Sequence, residues 1–101
     1  MIVHNVYFTL KDNSEAARQS LIDACCKYLS IQPGMVSFHC GVIAADHIRS
    51  VNVRDFDVGL HVVFVDKEAH DIYHNSAEHD WFVEEMSGNW LQSRVFDTVI
   101  V

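Results

Sequence analysis

The chain is poor in everything that loosens or cross-links a fold. It has one proline and four glycines in 101 residues. It also lacks repeats and low-complexity tracts, which excludes disordered linkers and solenoid architectures. Its three cysteines are an odd number with no Cys-x-x-Cys spacing, Cys25 and Cys26 being adjacent and Cys40 alone. No disulfide framework is expected, and the thiols read as small buried apolar groups. Cations are scarce: Lys and Arg number 7 against 14 Asp and Glu, a net charge of -7. They are also scattered (Lys11, Arg18, Lys27, Arg49, Arg54, Lys67 and Arg94), so no nucleic-acid partner is expected, because phosphate binding needs clustered cations. No apolar run approaches the roughly 18 residues that span a bilayer. Met1-Ile2-Val3-His4 opens into a strand pattern rather than a signal-peptide layout, so the expectation is a cytoplasmic protein without membrane association. Glycine-rich phosphate loops and nucleophile elbows are absent.

What is present is core material. Half of the chain is apolar and 21% charged, which fits one domain over residues 1–101 with a single modest core. Ile2 to Leu10 alternates His4, Val6, Phe8 and Leu10 with Val3, Asn5, Tyr7 and Thr9, a strand pattern. Capping chemistry at Asp12-Asn13-Ser14-Glu15 precedes Ala17, Leu21, Ala24, Cys25, Tyr28 and Leu29 at helical spacing, which predicts a helix from about Ser14 to Ser30. Pro33-Gly34 stops it. Met35 to Ala44 reads as a second strand with Val36, Phe38, Cys40 and Val42 on one face, and Asp46 to Arg54 as a loop. Phe56 to Val65 is apolar on both faces, so that third strand should be covered on both sides. A short helix, Lys67 to Tyr73, breaks at Asn75-Ser76. Ser76 is placed to cap a further helix that runs to about Ser87 and ends at Gly88. Leu91 to Val101 is the last strand.

The order is βαββαβ, which predicts an α+β, ferredoxin-like fold with a four-stranded antiparallel sheet. Helices then cover one sheet face, and a second copy packed sheet to sheet is the economical cover for the other. A homodimer is expected.

An ordered set of marks runs through nearly the whole chain: His4, Pro33-Gly34, Gly41, Phe56-Asp57, Phe64-x-Asp66, Tyr73 with His79, and Asp97. With them the chain resembles the stress-responsive α/β barrel domain family, whose members include polyketide cyclases of the olivetolic acid cyclase type. The resemblance implies that the two sheets of a dimer form a barrel and that His4 lines a pocket. Relatives commonly carry a His-Pro pair where this chain has Ser76-Ala77, so the loop that positions His79 differs.

His4, Tyr73 and His79 are the candidate catalytic residues. A histidine acid or base beside a hydroxyl donor is the minimum for removing a proton next to a carbonyl while polarising its oxygen. Packing roles are the alternative: a hydrogen-bonded core histidine at position 4, and a Tyr73–His79 pair that braces the helix break. Phe8, Tyr28, Phe82, Val83 and Trp90 are the candidate walls of a substrate pocket, or equally ordinary core. Such chemistry needs no cofactor. The function expected is a dimer that binds a small apolar carbonyl compound, with a cofactor-independent lyase or cyclase as its activity. A non-catalytic stress-responsive ligand binder and a cofactor-free or haem-degrading monooxygenase are the alternatives. His70 and His74 share one helical face, but no third ligand has convincing spacing, so no metal is expected. His39 and His61 fall on the sheet-to-sheet face.

Overall fold

The computed structural model describes residues 1–101. It runs β1 (Ile2–Leu10), α1 (Glu15–Leu29), β2 (Met35–Val42), β3 (Val58–Phe64), α2 (Lys67–His74), α3 (Ala77–Met86) and β4 (Trp90–Val99), with a 3-10 turn at Ser87–Asn89 before the last strand. The strands form one antiparallel sheet in the order β2-β3-β1-β4. This is the ferredoxin-like arrangement, with its second helix broken in two.

Local chemistry sets the helix boundaries. Ser14 Oγ accepts from the Ala17 amide at 3.2 Å, Asp66 Oδ1 from Ala69 at 2.9 Å and Ser76 Oγ from His79 at 3.1 Å. Each side chain satisfies an N–H that the first helical turn leaves free. Along α1 the buried residues Leu21, Ala24, Cys25 and Leu29 recur at the spacing of one helical face. They lie on Phe8, Leu10, Leu60, Val62 and Phe64 of the sheet in a single core. Gly34 precedes β2 at φ +76°, where a Cβ would stand 2.5 Å from that of Ala69. Glycine is required there twice over, by the left-handed backbone and by the approach of α2.

The alternation in β1 is as predicted: His4, Val6, Phe8 and Leu10 are buried, and the residues between them are not. The face of β2 is a correction. A register shift between Met35 and Ser37 puts Met35 opposite Phe64. Met35, Phe38 and Cys40 therefore pack on the core, and Val36 is 54% exposed instead of facing inward. A bulge inserts one unpaired residue and reverses the alternation beyond it. The strands also end sooner than predicted, β2 at Val42 and β4 at Val99, and β3 starts at Val58.

Helices cover one side of the sheet. The other side carries Asn5, Tyr7, His39, His61, Val63, Arg94 and Phe96, cross-strand neighbours in the register. It is more polar than β3 alone suggested. His61 Nδ1 lies 2.8 Å from Asn5 Oδ1, and Tyr7 meets Phe56, His61 and Phe96 edge to face. No helix is long and apolar enough to cross a membrane.

Candidate active site

The antiparallel pairing of β1 with β4 places Asp97 directly opposite His4. His4 is 6% exposed, and its Nδ1 stands 2.5 Å from Asp97 Oδ1. A proton on Nδ1 donated to the carboxylate leaves Nε2 as the accepting nitrogen. Tyr73 ends α2 on its buried face, and its ring lies 5.8 Å from that of His4. His79, in the first turn of α3, meets Tyr73 edge to face at 5.2 Å. One hydroxyl ties these two together: Ser76 Oγ donates to the Tyr73 carbonyl at 2.8 Å and accepts from the His79 amide.

His4, Tyr73 and His79 line one cavity of about 320 Å³ between the sheet and α2–α3. That volume lies at the lower end of the roughly 300–1,000 Å³ usual for small-molecule sites. Phe8, Phe82, Val83 and Trp90 line it too, as the sequence suggested, with Val6, Leu60 and Val95. Tyr28 does not. It sits in the groove between α1 and α3 with Glu85 and Met86, with Lys27 Nζ 4.8 Å from the centre of its ring. Helical spacing placed Tyr28 on the inner face of α1, but the buried stripe of that helix passes through Cys25 and Leu29.

The cavity also contains groups that sequence reasoning left out of the site: His70, His74, Ser93 and Asp97. Strand alternation carried from β1 onto β4 would have found Ser93 and Asp97. The histidines of α2 were legible only as a helical pair.

Electrostatics set the protonation states. Burial holds the His4 pKa below its usual value, with the hydrogen bond and charge of Asp97 pulling the other way. Burial, then the neighbouring His74, lowers His79. Burial pushes the Tyr73 phenol up. Near neutral pH His4 and His79 are thus neutral imidazoles and Tyr73 a protonated phenol.

A second hollow, about 470 Å³, lies on the uncovered side of the sheet beneath the 43–57 loop, with Asn5, Tyr7, Arg54, Arg94 and Phe96 in its wall. Three of its polar side chains are already engaged: Arg94 with Asp55 at 2.7 Å, Arg54 with the Ala45 carbonyl and Asn5 with His61. It offers no facing acid and base, so the helix-side cavity is the candidate site.

The family model described as Stress Responsive A/B Barrel Domain matches residues 2–100. Solved structures share the fold. A family member with a ferredoxin-like fold from Mesorhizobium loti is 24% identical, with TM-score 0.81 over 99% of this chain and 96% of that one. A dimeric ferredoxin-like protein of unknown function from Thermobifida fusca is 12% identical, with TM-score 0.80 over 98% and 90%. The hydroxynitrile lyase of Passiflora edulis is 18% identical, with TM-score 0.77 over 99% and 93%. Among curated proteins nothing matches by sequence.

Proposed function

The chain belongs to the stress responsive A/B barrel domain family, and on that premise we propose that it is a homodimeric barrel acting as a cofactor-independent lyase or cyclase on a small, largely apolar carbonyl compound. The observation that carries the proposal is the His4–Asp97 pair facing Tyr73 and His79 across one apolar cavity. Dimeric neighbours of the same fold support the assembly, and a lyase among them supports the reaction class. The three free thiols suit a reducing, cytoplasmic location.

In this reading His4 Nε2 removes a proton from the carbon beside the substrate carbonyl, and Asp97 steadies the imidazolium that results. The Tyr73 hydroxyl donates a hydrogen bond to the carbonyl oxygen as negative charge gathers there. The enolate attacks a second carbonyl of the same molecule, and the proton taken up by His4 returns to the new alkoxide, the neutral His79 imidazole relaying it by accepting on one ring nitrogen as it donates from the other. The expectation from sequence makes His79 the acid or base and His4 a pocket partner, and leaves the base itself unassigned. We assign it to His4, whose hydrogen-bonded carboxylate, Asp97, can balance an imidazolium, whereas no side-chain carboxylate is bonded to His79.

The test is turnover of polyketide-like β-carbonyl compounds by the full chain and by H4A, Y73F and H79A. Losing acid–base assistance should lower turnover by about 10²-fold or more while binding of the compound and the fold persist. Binding without turnover in the parent chain would make the protein a ligand carrier. Turnover unchanged in all three variants would remove these residues from the chemistry.

A further inference from the structure

We propose that His4, His70 and Asp97 form a binding site for a divalent transition cation of the zinc type, set in the wall of the cavity beneath α2. One donor atom from each of the three residues lies within 4.8 Å of the other two. Two imidazoles and a carboxylate, with further coordination positions left to water or ligand, make the donor set of an open zinc site.

His70 supplies the independent observation. Its Nε2 is buried and has no hydrogen-bond partner, an uncommon state for a buried polar atom. Its Nδ1 faces Asp71 Oδ1 at 3.3 Å, and Lys67 Nζ holds the same carboxylate at 2.8 Å. With the proton on Nδ1 donated to Asp71, Nε2 presents a bare lone pair. A carboxylate behind the far nitrogen is how metal-binding histidines are usually oriented, and it raises the basicity of the ligating atom.

His4 and Asp97 complete the set by trading a proton for the ion. Their 2.5 Å separation is that of a shared proton, and tetrahedral ligands at about 2.1 Å from zinc stand about 3.4 Å apart. Asp97 has room to retreat, because it lies on the edge strand β4 with its side chain 46% exposed. The ion would face the cavity, within reach of a carbonyl or hydroxyl oxygen. Since it takes up His4, cation binding and proton abstraction by that imidazole exclude one another. That last consequence rests on the carbonyl reading above; the site itself does not.

Isothermal titration of the chelator-stripped full chain with Zn2+ tests the site, with circular dichroism confirming that each variant is folded. Saturable binding of one ion per chain is expected. D71N, which removes an orienting group, should weaken it by about tenfold, and H70Q and D97N, which remove direct ligands, by about 100-fold or more, beyond the range for orienting groups. The exposed histidines His39 and His47 serve as controls, and H39Q and H47Q should leave the affinity unchanged. If H70Q fails to fold, D97N and D71N decide the question by themselves. Absence of saturable binding, binding that survives D97N and D71N, or binding lost only with His39 or His47 would overturn the proposal. The titration reads the ion and not turnover, so a chain that binds Zn2+ but converts no carbonyl compound refutes the enzyme alone.

Discussion

On the helix-covered side of the sheet His4 meets Asp97 at 2.5 Å; on the open side, one pleat along β1, His61 meets Asn5 at 2.8 Å. Burial lowers the pKa of both histidines. Their partners differ in what they permit next. A carboxylate stabilises an imidazolium, so His4 can accept a proton during a reaction. The amide of Asn5 brings no charge, and His39, opposite His61 in the register, opposes its protonation. The same residue type on two sides of one sheet is thus suited to chemistry on the first and to contact with another chain on the second.

The strongest way to break this contrast is to attack both faces of β3 through adjacent residues. Phe64→Ala on the core side should cost about 3–5 kcal/mol of folding free energy, read from denaturant unfolding. Val63→Asp on the open side should leave the protomer folded but separate the dimer, because an unpaired buried charge costs about 3–5 kcal/mol. Light scattering at micromolar concentration should give twice the chain mass for the parent and the single mass for V63D. A monomeric parent would remove the sheet-to-sheet assembly.

A second contrast replaces the two histidines themselves. H4A should lower turnover on a β-carbonyl compound by about 10²-fold, while H61A should leave it unchanged. Equal losses would mean that the two faces do not divide the work.

Acid should separate the partners more gently. The folded pKa values of His4, His61 and His79 all lie below the unfolded reference of 6.5. Below about 6.5 the unfolded chain therefore binds more protons than the folded one, and stability rises with pH up to that value and then levels off. In chelator-containing buffer the Tm should fall from about pH 7.5 to about pH 5.5, and a flat profile would contradict the assigned burial. D97N removes the group that raises the His4 pKa, so it should steepen the fall. The smallest effect is that of S76A, expected to cost about 1 kcal/mol as a lost N-cap, again by denaturant titration.

Much of this was legible from the chain. Alternation in Ile2–Leu10 and the double-sided apolar run of β3 set the layers, and Ser14 and Ser76 capped their helices as read. What escaped notice depended on contacts between distant segments. The bulge after Met35 has no local signature, because Val36 is as apolar as the residue that took its place. Tyr28 shares the spacing of the buried stripe of α1 but lies at its margin, where a tyrosine can keep its hydroxyl wet. His4 and Asp97 are 93 residues apart, so their pairing exists only once β4 has returned beside β1. His70 and His74 looked like an unsupported pair for the same reason: what stands opposite them comes from the two ends of the chain.

The Ser76 hydroxyl grips the Tyr73 carbonyl on one side and the His79 amide on the other. The phenol and the imidazole are therefore geared together. Whatever tilts the end of α2 must also turn the start of α3, so the shape of this cavity is governed by the play in one joint as much as by the size of its walls.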